Sequence, residues 1–171
     1  GGIHDALSSS MVAALASPLA EKGVNIGMLL GTAYLFTEEA VATGAIVKGF
    51  QHQAIGCQRT VVLETGIGHA SRCADTPYAA AFHSEKQKLI AQNKSAEEVR
   101  DLLEKLNLGR LRIAAKGVGY CGEPRSNEGN AQCIKLEAEA QHNQGMFMIG
   151  QLATLRHKVG TIGQLHQEVA V

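Results

Sequence analysis

The sequence predicts an α/β domain over residues 1–76 and a mostly helical domain over residues 77–171. Two observations predict the α/β class. Helix-type and strand-type spacings of apolar residues alternate along the first domain, and glycines stand at the boundaries between them. A third observation divides the chain, because helix-forming residues dominate the composition from Pro77 onward.

The composition is that of a folded domain, with 45% hydrophobic and 19% charged residues in a chain of 171. Sixteen basic residues balance sixteen acidic ones. The chain therefore has no overall charge to attract nucleic acid or an anionic membrane surface. No apolar run approaches the roughly 20 residues that cross a bilayer, and no basic start is followed by an apolar stretch and a cleavage site in these residues. These features predict a cytoplasmic protein without nucleic-acid or membrane partners.

The first elements alternate in type. The serines Ser8–Ser10 can cap a helix that ends at Lys22-Gly23. Val24–Leu30 is a short apolar run between two glycines, which is typical of a buried parallel strand. A second helix is expected over residues 32–43. The order is turn, helix, strand, turn, helix.

Further elements follow from caps, glycines and apolar spacing. We expect a helix around Lys48–Gly56 and a strand at Thr60–Leu63 that ends in the turn Gly66–His69. A helix at Ala79–Ala91 and a capping box at Ser95–Glu98, which opens a helix ending near Gly109, come next. The remaining predictions are a loop at Gly117–Asn130 and helices at Glu137–Arg156 and Thr161–Val169.

Two glycine turns, Gly1-Gly2-Ile3 and Gly31-Thr32, flank the first helix and strand. In a (β/α)8 barrel, a phosphate is bound where adjacent strand-to-helix turns meet, because backbone N–H groups point at it. Glycine lets the backbone approach the phosphate oxygens, and the Thr32 hydroxyl can donate to them. This spacing is common in α/β proteins, so by itself it leaves the phosphate site open.

The same residues carry a family resemblance. The stretch from Gly1 to Gly44, with Leu-Gly-Thr-Ala-Tyr-Leu-Phe-Thr-Glu-Glu-Ala at residues 30–40, resembles the nitronate monooxygenase (2-nitropropane dioxygenase) and FMN-dependent enoyl reductase family. Gly68–Cys73 and Gly145–Gln151 are similar to the branch associated with polyketide and polyunsaturated fatty acid synthases. The resemblance implies the C-terminal part of a (β/α)8 TIM barrel followed by the helical domain.

The resemblance also implies a cofactor site. FMN would be held at its phosphate by Gly2, Gly31 and Thr32, with Gly1 and Ala33 as neighbours. The family's flavin ring-binding strands and its histidine beside the flavin precede the Gly-Gly-Ile turn, so we expect the catalytic residues upstream of Gly1 and the isolated chain to be inactive.

The implied activity is that of an FMN-dependent oxidoreductase. FMN reduced by NADPH or NADH would deliver hydride to an enoyl thioester, with an acyl carrier protein as partner. Two alternatives stay open. One is nitronate monooxygenase activity in the same fold, and the other is a helical docking or structural module without catalysis.

His69 and Arg72 have two interpretations. Beside glycines on a loop, they could reach the flavin or an acyl-carrier phosphate, which makes His69 a candidate catalytic residue. Alternatively, they cap a helix or contact solvent. The second interpretation is favoured, because the sequence identifies no partner for His69 that acid–base catalysis would need.

The remaining reactive residue types favour structural roles. Cys73 is expected to be a small buried residue, and Glu38 and Glu39 to complement a helix dipole. Met146 and Met148 are expected in the core. Neither the other histidines nor the four cysteines have metal-ligand spacing, so no metal site and reduced thiols are predicted. These cysteines are Cys57, Cys73, Cys121 and Cys133.

Overall fold

The computed structural model of the chain describes residues 2–120 and 133–170, and helices are its main elements. Two 3-10 helices, Thr32–Phe36 and Gln151–Thr154, accompany them. The α-helices and strands in chain order are α1 (Ala6–Ala20), α2 (Glu38–Ala42), α3 (Lys48–Ile55), β1 (Thr60–Gly66), β2 (His69–Ala74), α4 (Pro77–Ala91), α5 (Ala96–Asn107), α6 (Arg110–Lys116), β3 (Val118–Tyr120), β4 (Cys133–Lys135), α7 (Ala138–Gln144) and α8 (Ile162–Val169).

The predicted first helix is confirmed, and it begins earlier than expected. Asp5 is its N-cap, because its carboxylate accepts a hydrogen bond from the Ser8 amide at 2.8 Å. The Ser8 side chain reciprocates by accepting from the Asp5 amide at 3.2 Å. The three serines expected to precede the helix therefore lie within its first two turns. The capping box that starts the helix is formed by Asp5 and Ser8.

The prediction of a buried strand at Val24–Leu30 is wrong. This segment forms no strand, and the side chains of residues 24–29 are exposed, with Leu29 at 87%. The physical reason is that a parallel strand needs neighbouring strands, whereas the two sheets of the described residues pair β1 with β2 and β3 with β4. Leu7, Met11 and Leu15 of α1 are exposed as well, so helix and segment together present exposed apolar side chains.

The predicted strand at Thr60–Leu63 is confirmed as part of β1, but its pairing is antiparallel. The turn at Gly66–His69 connects β1 and β2 into a hairpin, with Val62 opposite Arg72. The strand β2 was missed because its residues, His-Ala-Ser-Arg-Cys-Ala, lack the β-branched and aromatic types that mark strands. The described residues therefore contain no barrel of parallel strands.

The helix expected over residues 32–43 is broken at Thr37. A 3-10 helix ends at Phe36, and Thr37 has extended backbone angles, with φ −115° and ψ 147°. Its hydroxyl accepts from the Ala40 amide at 3.3 Å, so it caps α2. Thr37 also forms a parallel β-bridge with Gly160, and this contact with a distant segment stabilises the extended backbone of Thr37 between the two helices.

The helix expected at Glu137–Arg156 is wrong in its length. Helix α7 ends at Gln144, and residues 145–150 lie outside any helix. A Cβ on Gly145 would lie 2.6 Å from the Gln141 carbonyl and 3.1 Å from Cα of Ala114, so this close approach requires glycine. Gly145, the first of the two glycines that weaken the helix in sequence, thus lies at the helix end in contact with α6.

Helices α3, α4, α5 and α8 agree with the sequence, whereas α6 was not predicted. Capping boxes at Ser95 and Thr161 open α5 and α8, and α3 and α4 lie where they were expected. Of the predicted loop at Gly117–Asn130, residues 118–120 form β3, and residues 121–130 lie outside the described part of the chain. Among residues 2–120 and 133–170, no helix combines the length and apolar composition needed to cross a membrane.

The hairpin packs on the helices that follow it. One buried cluster joins Leu63 and Cys73 of the hairpin to Phe82 of α4, Leu103 of α5 and Met146. A second cluster surrounds Phe36, Phe50 and Phe147, and a smaller one contains Ala33, Leu152 and Leu165. The hairpin is therefore held rigidly, which fixes the side chains on its other face. The domain division at residue 76 stays a prediction.

Candidate functional site

A cavity of about 550 Å³ lies where the N-terminal turn, the first 3-10 helix, strand β2 and the second 3-10 helix meet. Its volume is within the range of small-molecule sites. The wall combines small, apolar and polar residues in nearly equal parts. The lining residues are Gly2, Ile3, Leu29, Leu30, Gly31, Thr32, Arg72, Gly150, Gln151 and Leu152.

Three of the residues expected at the phosphate site line this one cavity: Gly2, Gly31 and Thr32. Gly2 has φ +90°, a backbone conformation that side-chain-bearing residues rarely adopt. Ala33 is fully buried beneath the cavity, against Leu152 and Leu165, so it supports the wall without lining it. Gly1 lies outside the described residues.

The Thr32 hydroxyl is fixed by a backbone contact. Its Oγ1 accepts a hydrogen bond from the Gly150 amide at 2.9 Å. Because a hydroxyl both accepts and donates, its own hydrogen stays available for an acceptor in the cavity. A Cβ on Gly150 would lie 2.9 Å from this oxygen, so a larger residue there would displace Thr32. Glycine at position 150 therefore keeps the Thr32 hydroxyl at the cavity wall.

Arg72 supplies the cavity with a cationic group. It is half-buried on β2, and one terminal nitrogen donates to Thr60 Oγ1 at 3.1 Å. No ion pair within the described residues involves Arg72. Two other arginines do pair with carboxylates, Arg59 with Asp75 and Arg156 with Glu168. The charge of Arg72 is thus available to an anion. Arg72 was expected to cap a helix or contact solvent, whereas it lies on β2 and lines the cavity.

His69 lies away from the cavity wall. Its Nδ1 is 3.3 Å from Glu104 Oε1 on α5, and both side chains are largely exposed. The sequence identified no partner for His69, because Glu104 is distant along the chain. An exposed pair of this kind contributes little to stability. The structure therefore gives His69 a surface position, three residues before the arginine that reaches the cavity.

Cys73 is buried, as expected, and 1% of it is exposed. Burial raises the pKa of its thiol from 9.0 to about 11, and burial likewise raises the pKa of Tyr78 from 10.0 to about 12. At neutral pH the Cys73 sulfur is a neutral thiol and a poor nucleophile.

These raised pKa values predict a loss of stability in alkali. The two groups ionise at lower pH in the unfolded chain than in the folded chain. Their contribution to the free energy of unfolding is therefore fully present below about pH 9 and is lost as the pH rises above it. We expect the urea midpoint to fall as pH rises toward 11 and 12, where the folded Cys73 and Tyr78 ionise. The variants Cys73→Ala and Tyr78→Phe should each flatten part of this decline. An unchanged slope in both would contradict the assignment.

Glu39 performs more than the expected role at a helix start. It lies with Glu38 in the first turn of α2, where a carboxylate complements the dipole. Both of its carboxylate oxygens also accept from the Ile162 amide, at 3.1 and 3.0 Å, so it caps α8. Met146 is buried as expected, whereas Met148 is 44% exposed, so the core position expected for Met148 is wrong.

Gly150 and Gln151 line the cavity, and neither was predicted as a site residue. They fall in the stretch Gly145–Gln151, which resembles the synthase-associated branch but was predicted to be helical. The only local signal was the pair of glycines that weakens that helix. Groups of three or more histidine, cysteine or carboxylate side chains suited to a metal ion are absent from residues 2–120 and 133–170.

Neither a protein-family model nor a curated protein matches the chain. Among solved structures, FabK from Thermotoga maritima is similar over 99% of this chain, with a TM-score of 0.60 and 20% sequence identity. A mutant of FabK from the same organism gives a TM-score of 0.60 at 19% identity, also over 99% of this chain. The chain spans 41% and 38% of those two proteins. At such identities the likeness shows a shared fold.

Proposed function

We propose that this chain is the phosphate-binding part of an FMN-dependent oxidoreductase that reduces enoyl thioesters with NADPH or NADH. The sequence resembles a family of such flavoenzymes. The fold is similar to part of FabK from Thermotoga maritima. The observation that carries the proposal is the convergence of Gly2, Gly31 and Thr32 on one cavity that also contains Arg72.

The residues of the cavity fit a phosphate monoester in size and in chemistry. A Cβ on Gly31 would meet no atom within 4 Å, so the backbone there faces open space that a ligand can enter. Thr32 offers a hydroxyl hydrogen, and Arg72 offers a cation. A phosphate monoester carries a charge of about −1.5 to −2 at pH 7, which a cation and charge-assisted hydrogen bonds stabilise.

This chain would bind and orient the cofactor. FMN, when bound, supplies the hydride chemistry of such enzymes. Thr32 and Arg72 would fix the phosphate, and Leu29, Leu30 and Leu152 at the wall would limit water beside it. Fixing one end of a long cofactor reduces its freedom, so its reactive end is presented in one orientation. The thioester carrier we propose is an acyl carrier protein, within polyketide or polyunsaturated fatty acid synthesis.

The activity is tested on the protein of natural length that contains this chain. NADPH consumption is followed first with a crotonyl thioester and then with a nitronate. We expect turnover of the thioester. Turnover of the nitronate alone would replace the proposal with nitronate oxidation, and a protein that purifies without flavin absorbance would contradict any flavin-dependent activity.

Replacing Gly31 with valine is expected to lower the FMN content of that protein by at least about half, because the added methyl groups occupy space that the phosphate needs. The value of φ at Gly31, −117°, lies outside the left-handed region that favours glycine, and a Cβ there meets no other atom within 4 Å. Gly27→Val is the matched control, because Gly27 also has open space but does not line the cavity. Equal FMN content in both variants, by absorbance after denaturation, would remove Gly31 from the site.

A further inference from the structure

We infer that Arg72 is the cation that neutralises a phosphate monoester in the cavity, and that Thr60 is the residue that positions it. This inference deepens the proposed function, on which it rests for the identity of the ligand. It assigns roles to two residues of the hairpin, which is distant in sequence from the glycine turns.

The register of the hairpin brings Thr60 and Arg72 to one face. Val62 lies opposite Arg72, and Thr60 lies opposite Ala74. Side chains two residues apart on a strand share a face, so Thr60 is the diagonal neighbour of Arg72. The 3.1 Å bond from the Arg72 guanidinium to Thr60 Oγ1 is the result. It uses one terminal nitrogen, and the Nε and the other terminal nitrogen form no bond to the described residues.

The backbone of Arg72 is tied to the Thr32 side of the cavity. The Ile149 amide donates to the Arg72 carbonyl at 3.1 Å, and the next amide, that of Gly150, donates to Thr32 Oγ1 at 2.9 Å. The Ala74 amide donates to the Phe147 carbonyl at 2.9 Å and extends this ladder. Two consecutive amides thus tie the backbone of Arg72 and the hydroxyl of Thr32 to the same segment of the cavity wall.

Arg59 shows what a differently used arginine looks like on the same hairpin. Its Nε donates to Asp75 Oδ2 at 2.9 Å, a terminal nitrogen contacts the same oxygen, and 74% of the side chain is exposed. Its charge is therefore matched within the protein. Arg72 has a hydroxyl partner in place of a carboxylate, which orients the guanidinium without cancelling its charge. A fork of free N–H donors suits two oxygens of one phosphate.

The test is a titration of the full chain with inorganic phosphate, followed by NMR of backbone amides and the Arg72 Nε–H, with sodium chloride adjusted to keep ionic strength constant. We expect saturable shifts at Gly31, Thr32, Gly150 and the Arg72 Nε–H. Arg72→Met should weaken the affinity roughly tenfold or more, because a charge-assisted bond is lost. Arg59→Met, with the same change of charge, should alter it less than about twofold.

The positioning role of Thr60 has a separate readout. Thr60→Val should move the Arg72 Nε–H resonance and weaken phosphate binding by about twofold to tenfold, and Thr60→Ser should restore both. In the Arg72→Met background, Thr60→Val should have no effect on affinity, because its partner is gone. An equal effect of Thr60→Val in both backgrounds would overturn the positioning role.

The outcomes separate this inference from the proposed function. If Arg72→Met and Arg59→Met weaken phosphate binding equally, or if phosphate shifts resonances away from the cavity, the assignment of Arg72 is wrong. A parallel titration with FMN tests the other claim. If phosphate binds at Arg72 but FMN does not compete for it, the anion site stands and the flavin proposal fails.

Discussion

Replacing Leu103 with alanine is expected to lower the free energy of unfolding by about 2–5 kcal/mol, the range for emptying a leucine site in a core that relaxes only in part. Leu103 has no exposed surface, and it lies where α5 packs against the hairpin and α4. Urea denaturation followed by circular dichroism measures the change. The same loss should loosen the support under β2, the strand that presents Arg72.

Leu15→Ala is the matched control, because it makes the same chemical change within a helix. Leu15 on α1 is 81% exposed, so its removal uncovers no cavity, and the expected change is within about 0.5 kcal/mol. A loss at Leu15 as large as that at Leu103 would show that the apolar face of α1 is covered in solution. The described packing of α1 would then be wrong.

Replacing Thr32 with valine is expected to weaken FMN binding by roughly tenfold to a hundredfold. Valine keeps the shape of threonine but removes a hydroxyl that can donate to a phosphate in the cavity, and hydrogen bonds to charged groups contribute about 1.5–3 kcal/mol. The change also removes the acceptor of the Gly150 amide, which would then lack its 2.9 Å partner. Titration of the chain with FMN, followed by the quenching of flavin fluorescence, gives the affinities.

Thr32→Ser separates the hydroxyl from the methyl group. Serine retains the donor and the acceptor, so its affinity for FMN should stay within a few-fold of the original. If serine weakened binding as much as valine, the methyl group and packing would be responsible, and the hydroxyl would have no role in holding the phosphate.

The features predicted correctly from the sequence are local ones. Helix α5 follows from a capping box and an amphipathic spacing within a dozen residues, and α8 begins at the expected Thr161. Each signal lies within a turn or two of the helix that it starts. Caps and periodicity therefore identified these helices without knowledge of their neighbours.

The incorrect predictions concern features that depend on distant partners. The apolar run Val24–Leu30 has the composition of a buried strand, but no described strand pairs with it. The helix expected across Gly145 stops there because Gly145 packs against Ala114 of α6, 31 positions earlier in the sequence. Neither the missing strand partner of Val24–Leu30 nor the contact of Gly145 with α6 can be identified from the residues of the segment itself.

The candidate site likewise combines residues predicted from local patterns with residues placed there by distant partners. Gly2, Gly31 and Thr32 were named from two glycine turns and a family resemblance, and they line one cavity. Arg72 and Gly150 reach that cavity through the hairpin register and through the ladder between β2 and residues 147–149. This ladder of hydrogen bonds joins segments about 75 residues apart in the sequence, so no local pattern predicts it.

Binding of FMN compared with riboflavin tests the central claim most directly, because the two flavins differ only in the phosphate. The full chain is titrated with each, and amide shifts are recorded. We predict that FMN shifts Gly31, Thr32 and Gly150, and that riboflavin at the same concentration leaves them unchanged. Equal shifts with both flavins, or FMN shifts confined to residues outside the cavity, would contradict the assignment of this cavity as the phosphate site.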